Sequence, residues 1–183
     1  MNVIPSAPRN KARALAPGVW LATLLITTVS CASSDRQYAV PVDLCGVKVT
    51  ASALESVLPP GSKASQHPTA VGSNKRCRLH VDDGPVLSVS IEPWERDASA
   101  QDVARVALEV DPADTQSEDG RFIYSSKGAV GRVDCPGATA SHRSLWATVR
   151  VTHEDATEAQ MRALITTYAN GVPASGACGD MTE

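Results

Sequence analysis

Cysteines at positions 31, 45, 77, 135 and 178 carry most of the reactive chemistry in this 183-residue chain. Thiols can hold a soft metal, pair as disulfides, or accept a covalent group. No C-x-x-C or H-x-x-x-H spacing occurs, so a zinc site has no framework and no metal or other cofactor is expected. If Cys31 is set apart, four cysteines remain, an even number suited to an oxidising compartment. The pairing expected is Cys45–Cys77 and Cys135–Cys178, which joins sequential cysteines and closes loops of moderate length.

Cys31 is set apart by its surroundings. Residues 1–31 run from a basic stretch (Arg9, Lys11, Arg13) through an apolar core, "VWLATLLITTV", to small residues around the cysteine. That order is the layout of an export signal, and the apolar run is short for a permanent membrane span. "TVSC" resembles a bacterial lipobox, in which the cysteine receives a diacylglycerol and becomes the new N-terminus; Thr28 stands where that pattern usually has Leu. Ordinary cleavage after Ala32, with Ser30 and Ala32 as the small-x-small pair, is the alternative. Lipidation at Cys31 is preferred because a cysteine there has no other evident use. Residues 32–42 then read as a flexible tether, and residues 43–183 as a single domain.

Nucleophilic catalysis needs a Ser or Cys beside a base, often at a G-x-S-x-G turn, and that motif is absent. His67, His80, His142 and His153 are scattered; alternation puts His80 on the outer face of its strand and His153 in phase with the core at a strand end. Asp111, Asp114, Glu118 and Asp119 form an acidic loop near Gly120, without the alternating ligands and fixed glycine of a calcium loop. "EPWERD" supplies Glu92, Glu95 and Asp97 around Trp94, a conceivable carboxylate pair with a sugar platform, although neighbouring carboxylates at a strand end ordinarily face water.

The elements that must position these residues follow from periodicity. "VTASALESVLPPG" reads as a short helix, with Ser52 and Glu55 as capping box, stopped by Pro59-Pro60-Gly61. Residues 62–75 read as a loop. "CRLHV" and "VLSVSIE" alternate around Asp83-Gly84, a hairpin that places Cys77 on the apolar face. Residues 99–110 read as a helix capped by Ser99, with Val103, Val106, Ala107 and Val110 on one side. "RFIYSS" and "AVGRVDC" form a second hairpin, and "LWATVRVTH" is the clearest strand. A final helix is capped by Asp155 with Glu158, has Met161, Leu164, Ile165 and Tyr168 as its core stripe, and ends at Gly171 and Pro173. The expected fold class is α+β: one antiparallel sheet of five or more strands, about three helices covering one face, and two disulfides.

The segments "SC" at 30–31, "VDLCGV", "CRL", "VDCPG" and "YANGV…GACG", with a bias of Arg over Lys, resemble those of small secreted actinobacterial lipoproteins of unknown function, a four-cysteine, two-disulfide type. The resemblance spans nearly all of the mature chain and implies envelope location. Its motifs position cysteines rather than catalysts.

Charge narrows the partners. The formal net charge is −3 from 17 basic and 20 acidic residues; the three basic residues before Cys31 leave 14 against 20, or −6, on the remainder. No basic run follows position 31, which excludes a nucleic-acid partner. The expectation is therefore a non-enzymatic module on the outer face of the cell membrane, attached through its N-terminal lipid and binding an envelope protein or a small ligand. A secreted, soluble form and a hydrolase acting on cell-wall material, with His142 or His153 as base, are the alternatives.

Overall fold

In the computed structural model, residues 36–136 and 143–181 are described, and they all fall within one compact unit. Cys31 and His142 lie outside these residues. The fold is α+β, as the sequence pattern predicts. Strands β3 (Ala64–Val71), β4 (Asn74–Val81), β5 (Gly84–Glu95), β6 (Thr115–Gln116), β7 (Phe122–Tyr124), β8 (Gly128–Val133) and β9 (Arg143–Val151) form one antiparallel sheet. Its spatial order is β3-β4-β5-β9-β8-β7-β6. After β5 the chain crosses to the far edge and walks back, so that β9 closes the sheet against β5. A separate small hairpin pairs β1 (Asp43–Leu44) with β2 (Val47–Lys48).

Helix α3 (Glu158–Gly171) lies on one face with Met161, Leu164, Ile165 and Tyr168 all buried. They meet Ala129, Ala147, Val149 and the apolar faces of β4 and β5 in the main core, where each large aliphatic contributes about 1.5–3 kcal/mol by leaving water. Thr157, not Asp155, caps α3. Its side chain accepts from the backbone of Gln160 while Gln160 reaches back to the Thr157 amide, so Glu158 is the first helical residue rather than the end of the box. Helix α1 (Ala51–Glu55) also departs from expectation: Thr50 is its N-cap, Ser52 lies within the helix, and Glu55 pairs with Arg36 instead of capping.

Two larger corrections concern the sheet. Residues 62–75 are not a loop, since they contain β3, an edge strand paired along its length with β4. Its residues are half-buried or exposed, so no apolar alternation marks it, and Pro68 is tolerated because an edge leaves one side of the strand unpaired. Helices also cover both faces in part. Helix α2 (Ala100–Ala104) packs opposite α3, where Ala100, Val103 and Ala104 enclose Ile123, Val130 and Trp146. Ser99 caps α2 as expected, through a reciprocal box with Asp102, but the helix stops well before residue 110. Val106 is consequently exposed rather than on a buried stripe, and Glu109 takes a positive φ of 64° that no helix continues.

Residues 36–42 are not a free tether. Arg36 ion-pairs with Glu55 at 2.9 Å and donates to the carbonyls of Glu55 and Leu58, while Tyr38 donates to the Pro59 carbonyl at 2.5 Å. Gln37 adds a backbone bond to Gly61. Both disulfides form as expected, Cys45–Cys77 and Cys135–Cys178, with Cα atoms 5.8 and 5.5 Å apart.

Candidate functional site

The Cys45–Cys77 bridge does more than close a loop. Cys45 and Gly46 are the two turn residues of the β1–β2 hairpin, and both have positive φ (49° and 89°), the pair of conformations that a tight two-residue hairpin uses. Cys77 is the buried in-phase residue of β4, so the bridge ties the hairpin tip to the sheet. Gln66 on β3 repeats the tie: its amide nitrogen donates to the Asp43 carbonyl at 2.9 Å, and its amide oxygen accepts from the Cys45 amide. Asp43 in turn accepts from the Gly46 amide at 2.9 Å.

Held this way, the hairpin leaves a pocket of about 350 Å³ between itself, the β3–β4 edge and the end of α3. Leu44, Val47, Ile91 and the disulfide form its apolar lining, Tyr168 enters from α3, and Thr69, Ala70 and Lys75 stand on the strand side. The size lies at the lower end of small-ligand sites. Tyr168 is 2% exposed, and its hydroxyl has no hydrogen-bond partner among the described residues. Burial raises its phenol above the ordinary value, so it is a neutral O–H donor at any physiological pH. A largely apolar cavity with a few donors at its wall, the Tyr168 hydroxyl and the Arg76 guanidinium among them, is an arrangement that orients a small ligand. A larger hollow of about 700 Å³ along α3, beside Thr50, Glu158, Arg162 and Asn170, is an open surface.

The other candidate residues are placed as follows. His153 lies beyond the end of β9, exposed and 3.8 Å from Glu154, not in phase with the core; the strand ends at Val151 and the chain turns away. In the acidic loop, Asp114 accepts from the Asp111 amide at 2.7 Å, Asp111 from the Ala113 amide at 2.8 Å, and Asp119 from the Ser117 hydroxyl at 2.6 Å and the Arg121 amide at 3.1 Å. These carboxylates fasten turns. The Ser117 hydrogen bond, followed by the Arg121 amide, holds Asp119 below the usual carboxylate range. Glu92 is half-buried and accepts from Ser90 at 3.1 Å, and Trp94 packs its ring against the α2 cluster with Ala107 and Val110. Among the described residues no group of three His, Cys, Asp or Glu side chains is disposed to hold a metal ion.

One pair escaped sequence reasoning because β3 did. Ser65 and His67 share a face of that strand, with Ser65 Oγ 3.1 Å from His67 Nε2, and the His67 ring sits 4.5 Å from that of His80. Likewise Tyr168 is legible in sequence as a core residue, whereas its free hydroxyl depends on what surrounds it.

No family model matches the chain, and no curated protein and no solved structure matches it.

Proposed function

We propose that this chain is an envelope lipoprotein of actinobacterial type whose domain is a non-enzymatic binding module, taking a small, largely apolar ligand in the pocket beside Cys45–Cys77. The observation that carries the reading is a largely apolar cavity of about 350 Å³ beside the disulfide, into which Tyr168 brings a hydroxyl with no partner among the described residues. A ligand acceptor that reached this hydroxyl would add a hydrogen bond worth about 0.5–1.5 kcal/mol. The two disulfides support an extracytoplasmic location, since such bridges persist in oxidising compartments. Five residue steps separate Cys31 from the docked Arg36, so a lipid on Cys31 would hold that residue within about 18 Å of its attachment point.

1-Octanol, an eight-carbon chain with one hydroxyl, is a suitable probe. Titration followed by NMR should move the methyl signals of Leu44, Val47 and Ile91 saturably, and Tyr168→Phe should weaken binding about 3- to 10-fold, the worth of one hydrogen bond. Absence of saturable shifts at those methyls would remove the reading. A second reading, a secreted hydrolase of cell-wall material, draws on the Ser65–His67 contact at 3.1 Å. It requires turnover of wall polymers that Ser65→Ala abolishes.

A further inference from the structure

The sheet face turned away from α3 holds a second arrangement, which shares only Arg76 with the lining of the pocket. Helix α2 covers only part of this face, and beyond it the outward residues are polar. Antiparallel register puts Arg78, Ser88 and Arg150 in one cross-strand row over β4, β5 and β9, and Arg76, Ser90 and Thr148 in the next. The Ser90 and Thr148 hydroxyls are 2.6 Å apart, and Ser90 donates onward to Glu92 at 3.1 Å. Among the described residues, Arg76, Arg78 and Arg150 have no ion-pair or side-chain hydrogen-bond partner. Arg76 and Arg78 stand on one face of β4 and Arg150 on the same face of β9, one strand beyond β5, so three like charges share this face without an ion-paired counter-charge. Together with Glu92 they line one concavity of about 100 Å³, walled by Trp94 and by the turn after α2. That turn carries Val106 and Leu108, which are 66% and 65% exposed.

We propose that this concavity binds a phosphate monoester bearing an apolar substituent. Three guanidiniums against the single carboxylate of Glu92 leave two positive charges in the concavity, which a phosphate monoester matches with its charge of about −1.5 to −2 at neutral pH. Guanidinium forks fit phosphate oxygens bidentately, and the Ser88 hydroxyl lies between Arg78 and Arg150 as a further donor. A volume of about 100 Å³ accommodates the head group and little else, so the substituent rests on Val106 and Leu108 and gives those side chains their partner. A nucleic-acid strand is the wrong polyanion for this surface. Glu95 and Asp97 flank Arg96 after Trp94, and Glu109 and Asp111 follow Leu108, so carboxylates border the concavity on that side.

The test is isothermal titration of the full chain with octyl phosphate below its micellar concentration. Saturable binding is expected, weakened about 10-fold or more in the Arg78→Gln, Arg150→Gln double variant, since each guanidinium contributes charge-assisted hydrogen bonds. Leu108→Ser should weaken it about 3-fold, and inorganic phosphate should bind about 10-fold more weakly than the ester. Arg78 and Arg150 are exposed or half-buried on strands and Leu108 is exposed in a turn, and an unchanged circular dichroism spectrum and melting temperature will show that the variants fold. No saturable binding, binding indifferent to the arginine substitutions, or equal affinity for octyl sulfate would each overturn the proposal. A parallel arm uses phosphatidylcholine vesicles with and without phosphatidic acid. Arginine-dependent capture of the phosphatidic acid vesicles identifies a bilayer head group as the source, and binding of octyl phosphate without vesicle capture identifies a soluble ester. Either result supports the shared chemistry.

Discussion

Replacing Tyr168 by Phe removes one oxygen atom from a side chain that is 2% exposed, and the size of the effect separates two descriptions of the pocket. Where a buried tyrosine hydroxyl is hydrogen-bonded to protein, its loss ordinarily destabilises by about 0.5–1.5 kcal/mol. Here the hydroxyl has no protein partner among the described residues and is not sealed from solvent, although burial of the residue raises the phenol's pKa. Phe keeps the ring in the core cluster that holds Ile91 and Cys77 while removing a hydroxyl that no described protein group uses. The variant should match the parent to within about 0.5 kcal/mol, as expected when no protein hydrogen bond is removed. For a domain of this size that is a change in Tm of no more than about 2 °C. Thermal melts of the two oxidised proteins without added ligand, supported by urea titrations with unchanged slope, provide the measurement. A loss of 1 kcal/mol or more would mean that the hydroxyl is structurally satisfied, and the argument for a ligand-directed donor would fail.

Three further predictions follow from the fold. Gly171→Ala should destabilise by about 1–3 kcal/mol or more, because a Cβ there would meet the Lys48 carbonyl oxygen, on backbone that cannot yield as a side chain would; urea unfolding checks it. Thr157→Ala should cost about 1 kcal/mol, whereas Asp155→Ala should change stability by less than about 0.5 kcal/mol, since only Thr157 caps α3. Asp102 and Asp119 are both held below the usual carboxylate range, Asp102 chiefly by the Ser99 hydroxyl and Asp119 chiefly by the Ser117 hydroxyl. Their stabilisation is complete above the ordinary carboxylate pKa of about 4 and is lost as pH falls through the lowered folded values, so Asp102→Asn and Asp119→Asn should each flatten the acid side of a stability–pH curve.

Much of the frame was legible because apolar period reports burial directly. Met161, Leu164, Ile165 and Tyr168 recur at helical spacing, and Cys77, Leu79 and Val81 alternate, so α3 and β4 follow from the pattern. Reading fails where burial and local structure part company. The edge strand β3 pairs through its backbone, and residues such as Thr69 and Ala70 are exposed, leaving no alternation to read. Val106 and Ala107 carry helical spacing beyond the end of α2, yet the positive φ at Glu109 belongs to a turn that composition does not disclose. Trp146 alternates onto the face opposite the main core and is 1% exposed there because α2 covers it, a contact between elements far apart in sequence. Both candidate binding sites are of this tertiary kind. Arg76, Arg78 and Arg150 converge only through the pairing of β4, β5 and β9, and the pocket exists only because Cys45–Cys77 and Gln66 hold a hairpin across a sheet edge.

The central claim is that the domain carries a ligand beside its first disulfide. Native mass spectrometry of the full chain with both disulfides formed, isolated without denaturant, is the decisive measurement. The account predicts a non-covalent adduct on the parent protein that is lost when the pocket is filled by Ala70→Trp, a substitution on an exposed edge-strand residue at the pocket wall. A parent protein without an adduct, or an adduct that persists in the filled variant, would contradict it.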